Sequence, residues 1–207
     1  MPKRSEATSK SPSVRQVKRA AGITEPRNAI QLLKADHREV ESLFKAFKNS
    51  DSAAEKQSLA KTICKALKLH TRIEEEIFYP AFIEATGNKD LHNEALVEHQ
   101  GANRLIEEIE NSGAGDALFD ARVKVLSEMI KHHVKEEERF SGMFTKARIA
   151  GMDLRALGIL LEARKKELTR EPAKRRRKTP ANTRAAFMGA AALARARPPK
   201  SQGRRAP

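Results

Sequence analysis

The sequence predicts an all-α protein: an antiparallel four-helix bundle with an additional C-terminal helix and disordered basic arms. Three observations carry that expectation. Aromatic residues make up 4% and charged residues 33% of the 207-residue chain, which contains no tryptophan, and such a mixture favours helices over sheets. Apolar residues in the middle of the chain recur at three- and four-residue steps. The net charge of +14 is also unevenly placed, with +5 on residues 1–27, +10 on residues 171–207 and −1 on residues 28–170.

The two arms have little to bury and read as disordered. The second opens with Lys174, Arg175, Arg176, Arg177 and Lys178, and its Ala-rich stretch from Ala185 to Ala194, with Phe187 and Met188, could form a short transient helix. Arms of this kind attract polyanions such as nucleic acid without sequence preference, or simply keep the chain soluble. Between them the sequence divides into a bundle over 28–150 and an accessory helix over 151–170.

The first helix is expected over 28–48, where Ile30, Leu33, Val40, Leu43, Phe44 and Phe47 form one apolar stripe. Asn49 to Ser52 break it and cap the next. The second helix carries Leu59, Ile63, Leu67, Ile73 and Ile77 to about Thr86, and Pro80 should kink or interrupt it. Gly87 to Asp90 end that helix. The third turns Ala95, His99, Ala102, Leu105, Ile106 and Ile109 inward, and the run from Asn111 to Gly115 stops it. The fourth starts at an Asp116 cap and runs through Val123, Leu126, Ile130 and Val134. After Gly151, Asp153 can cap a fifth helix from Leu154 to about Arg170, packed outside the bundle.

Composition excludes several classes. One cysteine, Cys64, rules out a disulfide framework and a Cys-based zinc site and suits a reducing, cytoplasmic setting. Cys64 reads as a small core residue. No stretch reaches the ~18–20 apolar residues of a membrane span. Gly-rich phosphate loops, Ser nucleophile motifs and zinc-finger spacings are missing, so hydrolase and kinase chemistry have no visible apparatus.

The informative feature is an internal repeat built on histidine. His37 is followed 33 residues later by His70, and His99 is followed 34 residues later by His133. Each downstream histidine has a glutamate four residues on, Glu74 and Glu137. The flanks repeat too: Asp36 matches Glu98, Leu43 matches Leu105, and Ile63 and Leu67 match Leu126 and Ile130. Residues four apart on a helix share a face, with Cβ atoms about 5–6 Å apart, so an imidazole and a carboxylate so placed can converge on one metal ion. Four helices then bring four His and two Glu to the interior, the donor set of di-metal carboxylate bundles. Burying a Glu is costly unless it is paired or metal-bound. Imidazole and carboxylate without thiolate suit Fe, Mn or Zn. With both glutamates bridging and an oxo or hydroxo bridge between the ions, each ion keeps an open position for O₂, NO or peroxide. His132 and Glu136 show the same spacing one position earlier and remain substitutes for His133 and Glu137. His92 breaks the repeat and is expected to be exposed. Tyr79, before Pro80, is read as packing at the bundle end, with a place near the metals as the other option. Of the runs Glu74 to Glu76 and Glu136 to Glu138, one member each is expected to turn inward.

These residues resemble the hemerythrin-like (HHE cation-binding) family. The carriers are Ala35 to Val40, His70 to Pro80, Val97 to His99, and His132 to Glu138, across about 28–150. The segment from Gly142 to Glu167 is similar to the C-terminal helix of some bacterial members. The resemblance implies two iron ions in a non-haem centre with His37, His70, Glu74, His99, His133 and Glu137 as ligands. Oxygen-carrying members use a fifth histidine where this chain has Asn103, which argues against reversible O₂ storage in that style. The expected function is therefore binding or sensing of O₂, NO or peroxide, with iron storage or nucleic-acid association through the arms as alternatives.

Overall fold

The structure, a computed structural model, describes residues 28–170. The expected disorder of 1–27 and 171–207, and the transient helix within the latter, lie outside the described residues. Helix α1 (Ala29–Asn49) opens on Asn28, whose side chain accepts the Gln31 N–H at 2.9 Å while the Gln31 side chain accepts the Asn28 N–H at 3.1 Å. Such a reciprocal box satisfies two N–H groups that the first turn leaves without partners. Helix α2 (Ala53–Ile73) starts behind Ser52, which accepts the Glu55 N–H. Helix α4 (Lys89–Asn111) starts behind Asn88, which accepts the Leu91 N–H at 3.1 Å. Helix α5 (Phe119–Glu138) completes the ring: α1 packs on α2, α2 on α4, α4 on α5, and α5 back on α1.

Between α2 and α3 (Tyr79–Thr86) lies one π-helical turn, Glu74–Phe78, where the Tyr79 N–H reaches back five residues to the Glu74 carbonyl. The interruption expected at Pro80 thus falls one turn earlier. Proline lacks an N–H and crowds the carbonyl four residues back, and widening the preceding turn relieves both problems without breaking the rod. Gly87, at φ 64°, ends α3 in the left-handed region.

The fourth bundle helix begins three residues after the Asp116 cap expected from sequence. Asp116 closes a turn instead: its carboxylate accepts the Leu118 N–H at 2.7 Å and its carbonyl accepts the Phe119 N–H at 3.0 Å. At the other end α5 stops at Glu138, and a short α6 (Met143–Ile149) follows. The turn between them is tight enough that a Cβ on Gly142 would lie 2.3 Å from the Glu136 carbonyl oxygen and 2.6 Å from that of Glu137. Gly142→Ala is expected to cost ~1–3 kcal/mol, as overpacking does, and to lower the urea midpoint of unfolding. An unchanged midpoint would show that the turn opens freely. Helix α7 (Leu154–Arg170) is capped by Asp153, which accepts the Ala156 N–H at 2.9 Å. It packs on α1, α2 and the π turn, outside the four-helix ring as expected.

Two apolar clusters fill the interior. One gathers Ile30, Leu33, Ile73, Ile77, Phe78, Phe82, Phe144 and Leu161 from α1, α2, the π turn, α3, α6 and α7. The other gathers Val40, Phe44, Ile63, Leu67, Ile106, Phe119, Leu126 and Ile130. Each fully buried Leu, Ile or Phe contributes about 1.5–3 kcal/mol by leaving water. Cys64 is buried in the second cluster, and burial pushes its thiol up to about 11, which fits the core role read from the sequence. No helix among the described residues is long and apolar enough to cross a membrane.

Candidate metal centre

The charged residues of the interior lie in a layer between the two apolar clusters. On α1, Leu33 belongs to one cluster and Val40 to the other, and His37 stands midway. On α2, Leu67 and Ile73 flank His70 in the same way. His37, His70, Glu74, His99, His133 and Glu137 are all buried, none more than 4% exposed. The structure therefore brings together all six residues that the repeat singles out. On α5, His133 and Glu137 point inward, while the His132 side chain is 62% exposed and Glu136 pairs with Arg139.

Every imidazole aims its Nε2 into the layer. The Nε2 atoms of His37 and His70 are 3.1 Å apart, and those of His99 and His133 are 3.3 Å apart. Two nitrogens each about 2.1 Å from one ion, at right-angle to tetrahedral spacing, stand roughly 3.0–3.4 Å from one another. The carboxylates cross between the pairs. Glu74 Oε2 lies 3.2 Å from His70 Nε2 and 3.5 Å from His99 Nε2, and Glu137 Oε2 lies 3.5 Å from His37 Nε2 and 3.7 Å from His133 Nε2. Two groups of potential ligand atoms result, one of His37, His70, Glu74 and Glu137 and the other of Glu74, His99 and His133.

Glu74 Oε1 and Glu137 Oε2 are buried with no hydrogen-bond partner, an arrangement worth several kcal/mol of penalty for a charged group unless a cation compensates. The residues present fit a metal pair on this ground. Burial and the Glu74 charge push Glu137 up to about 7. Burial opposes ionisation of Glu74 as well, but the neighbouring His70 and His99 hold it low. Two carboxylates this close cannot both stay charged without positive charge between them.

Behind each histidine stands a second carboxylate. His37 Nδ1 is 2.8 Å from Glu138, His99 Nδ1 is 2.9 Å from Glu75, and His133 Nδ1 is 2.7 Å from Glu98. His70 Nδ1 faces Asp36 at 3.7 Å. The three within hydrogen-bond distance fix which ring nitrogen carries the proton and leave the inward Nε2 free to donate its lone pair, whereas Asp36 Oδ2 and His70 Nδ1 are too far apart for a hydrogen bond. The sequence reading missed these partners and expected only one member of each Glu run to turn inward. In the structure Glu74 and Glu75 both serve the layer, as do Glu137 and Glu138, and Glu76 pairs with Arg72 and Arg164.

Tyr79 is the other correction. It is fully buried, and its hydroxyl sits 3.1 Å from Glu137, 3.2 Å from His99 Nε2 and 3.4 Å from Glu74. Five residues apart on a regular α-helix, Tyr79 and Glu74 would point about 140° away from each other. The π turn brings them to one side. Burial and the Glu137 and Glu74 charges hold the phenol well above its ordinary pKa in the absence of a cation. His92 is half-buried rather than exposed, with its ring edge against Tyr79. Across the four histidines a small cavity is lined by Asp36, Val40, Leu67, Thr71, Ile130 and Val134.

A helical bundle with a buried layer of paired imidazoles and carboxylates is a metal-binding class of protein. The chain matches the Hemerythrin HHE cation binding domain over residues 28–145, and it belongs to that family. It is 30% identical over 111 residues to a protein of Nostoc sp. described as a DNA nickase, a match covering 54% of this chain and 31% of that protein. The chain therefore spans less than a third of that relative's length. A solved hemerythrin HHE cation binding domain-containing protein from Mycobacterium kansasii shares the fold, with a TM-score of 0.57 and 22% identity over 68% of this chain and 86% of that one.

Proposed function

We propose that the chain holds two metal ions, iron in the first place with Mn or Zn as competitors, and binds or senses a diatomic gas or peroxide beside them. His37, His70, His99 and His133 act as terminal ligands, Glu74 and Glu137 bridge, and Tyr79 adds a donor on the His99 and His133 side. The observation that carries this reading is the pair of buried oxygens that make no hydrogen bond, Glu74 Oε1 and Glu137 Oε2, among four converging Nε2 atoms. Iron held by these residues would supply a redox-active Lewis acid. The protein supplies the rest: the carboxylates of Glu138, Glu75 and Glu98 orient three of the imidazoles, the two apolar clusters keep out bulk water, and a small cavity reaches the four histidines.

The test is metal content per chain after purification without added metal, with ultraviolet and visible absorption recorded before and after O₂, NO and peroxide. Two irons with bands that respond to one of them support the reading, whereas a chain that takes up no metal from excess ferrous iron overturns it. Loading that is weak and exchanges freely would favour iron storage instead. His133→Ala is expected to lose metal, while His132→Ala and His92→Ala keep two ions per chain. Metal loss in His132→Ala would mean that the register on α5 is one residue earlier.

A second reading concerns the arms. The DNA nickase description of the Nostoc relative and the +5 and +10 charges of residues 1–27 and 171–207 favour nonspecific association with nucleic acid. Binding to duplex DNA should weaken steeply between about 50 and 200 mM salt through counterion release. It should vanish when both arms are deleted, because residues 28–170 carry only −1. Retained binding by the deleted chain would place the contact on the bundle.

A further inference from the structure

Three of the four carboxylates behind the histidines lie within hydrogen-bond distance of a ring nitrogen, Asp36 faces His70 at 3.7 Å, and the four differ in their own partners. On the His37 and His70 side both are already held by cations. Glu138 pairs with Lys34 at 2.8 Å and with Arg38 at 2.6 Å, and Asp36 pairs with Lys165 of α7 at 2.5 Å. On the other side, Glu98 meets only His132, at 3.4 Å, besides His133. No Lys or Arg among the described residues pairs with Glu75 or Glu98. The internal repeat matches Asp36 with Glu98, yet among the described residues no Lys or Arg pairs with Glu98 as Lys165 of α7 pairs with Asp36.

A carboxylate behind a metal-binding imidazole makes it a better donor by placing negative charge on its far nitrogen. A lysine or arginine bonded to that carboxylate withdraws the effect, and its own charge also repels a cation a few ångströms away. Lys34 and Arg38 act on Glu138, which is hydrogen-bonded to His37, and Lys165 acts on Asp36, which is only 7% exposed, so that this pair is little screened by water. The Tyr79 hydroxyl adds a further donor on the opposite side, 3.2 Å from His99.

We propose that the two metal positions fill in a set order. The position at His99 and His133 takes its cation first and holds it more tightly, and Lys34, Arg38 and Lys165 weaken the position at His37 and His70. Lys165 and Lys34 are positioning residues for affinity; neither touches the ion. The second position is then the exchangeable one, so a half-loaded chain carries its ion beside Tyr79 and lacks the one beside α7. This inference rests on the two-ion reading above.

The experiment is an anaerobic titration of the metal-free full chain with ferrous iron, and separately with Mn(II), against a competing chelator. Two steps separated by about tenfold or more are expected. His99→Ala should remove the tighter step and His37→Ala the weaker. Lys34→Met with Lys165→Met should tighten the weaker step by about tenfold and leave the tighter one unchanged. Lys34→Arg with Lys165→Arg, which keeps both charges, should leave both steps as in the wild type. Circular dichroism checks that each variant is helical, and Lys165→Met alone replaces the double variant if that one fails to fold. Two equal steps, loss of the tighter ion in His37→Ala, or unchanged spacing in the Met variants overturn the order of filling while leaving the two-ion centre intact. Fewer than two ions on the wild-type chain overturns the two-ion centre itself, and the order with it.

Discussion

Metal binding is expected to fall from two ions per chain to one or none in Glu74→Ala and in Glu137→Ala, with far-ultraviolet circular dichroism little changed. Each glutamate reaches a histidine from both hairpins, so neither ion position keeps its full donor set without it. Helicity survives because apolar residues away from the layer hold both helices, α2 through Ala60, Ile63, Cys64, Leu67 and Ile73, and α5 through Phe119, Val123, Leu126, Ile130 and Val134. Two ions retained in both variants would show that the bridging assignment is wrong. The metal-free protein carries a related signature in its pH dependence. Burial opposes protonation of His99, but the Glu74 and Glu75 carboxylates outweigh it and raise the imidazole to about 9. Burial and Glu74 raise Glu137 to about 7. The folded chain thus holds protons that the unfolded chain releases nearer 6.5 and 4.5. The stability these groups provide is complete below those unfolded values and is lost as pH rises through about 7 and about 9. His37, lowered by burial to about 4, opposes this trend only below 6.5. Cation binding runs the other way, because the ligands must be deprotonated. Between pH 6.5 and 9 the Tm of the metal-free protein should therefore fall while the gain in Tm on adding metal grows. A gain that shrinks with pH would mean that the cluster is not protonated when empty.

Tyr79→Phe is the second large effect. The substitution keeps the ring that packs between His99 and Phe78 and removes only the hydroxyl that touches Glu74, His99 and Glu137. A ferric ion within reach of that oxygen lowers the phenol pKa far below the value the bare cluster imposes, since a nearby cation inverts the local electrostatics. The loaded wild-type protein should then show a visible tyrosinate-to-iron charge-transfer band, absent from Tyr79→Phe. The ion on the His99 and His133 side should also be held about 10–100-fold more weakly, the scale of losing a supporting group at a metal site. A visible band that survives in Tyr79→Phe would place the hydroxyl in hydrogen bonding alone. Because the ring remains, the variant's unfolding midpoint should stay near that of the wild type.

The parts of the site legible in the sequence are those written by local spacing. His70 with Glu74 and His133 with Glu137 sit four apart on one helix face, and the repeat of that pattern separates them from ordinary core or surface residues. The fold was legible for the same reason, from stripes such as Ile30, Leu33, Val40 and Phe44 and from the breaks that end them. What stands behind each histidine was not, because it depends on how helices dock. Asp36 precedes His37 in the chain but serves His70, while His37 is served by Glu138, 101 residues away. No periodicity within one helix encodes such a pairing. The inward place of Tyr79 was hidden by a change of helical pitch. The only sequence sign of the π turn is Pro80, which read as a kink. The start of α5, three positions after Asp116, was misread because an aspartate that closes a turn and one that caps a helix look alike in sequence.

The pairings that cross the layer have a consequence for how the chain is made. The α1–α2 hairpin holds His37, His70, Glu74 and Glu75, and the α4–α5 hairpin holds His99, His133, Glu137 and Glu138. His37 needs Glu137 and Glu138 from the later hairpin, and His99 needs Glu74 and Glu75 from the earlier one. A ribosome that has synthesised only the first hairpin has therefore produced neither of the two groups of converging side chains in full. The layer closes only after α5 has emerged through Glu138 and docked on α1. On the proposed two-ion reading, loading of metal is in this way confined to chains in which α5 has docked, and a truncated or mispaired product presents no complete layer to load.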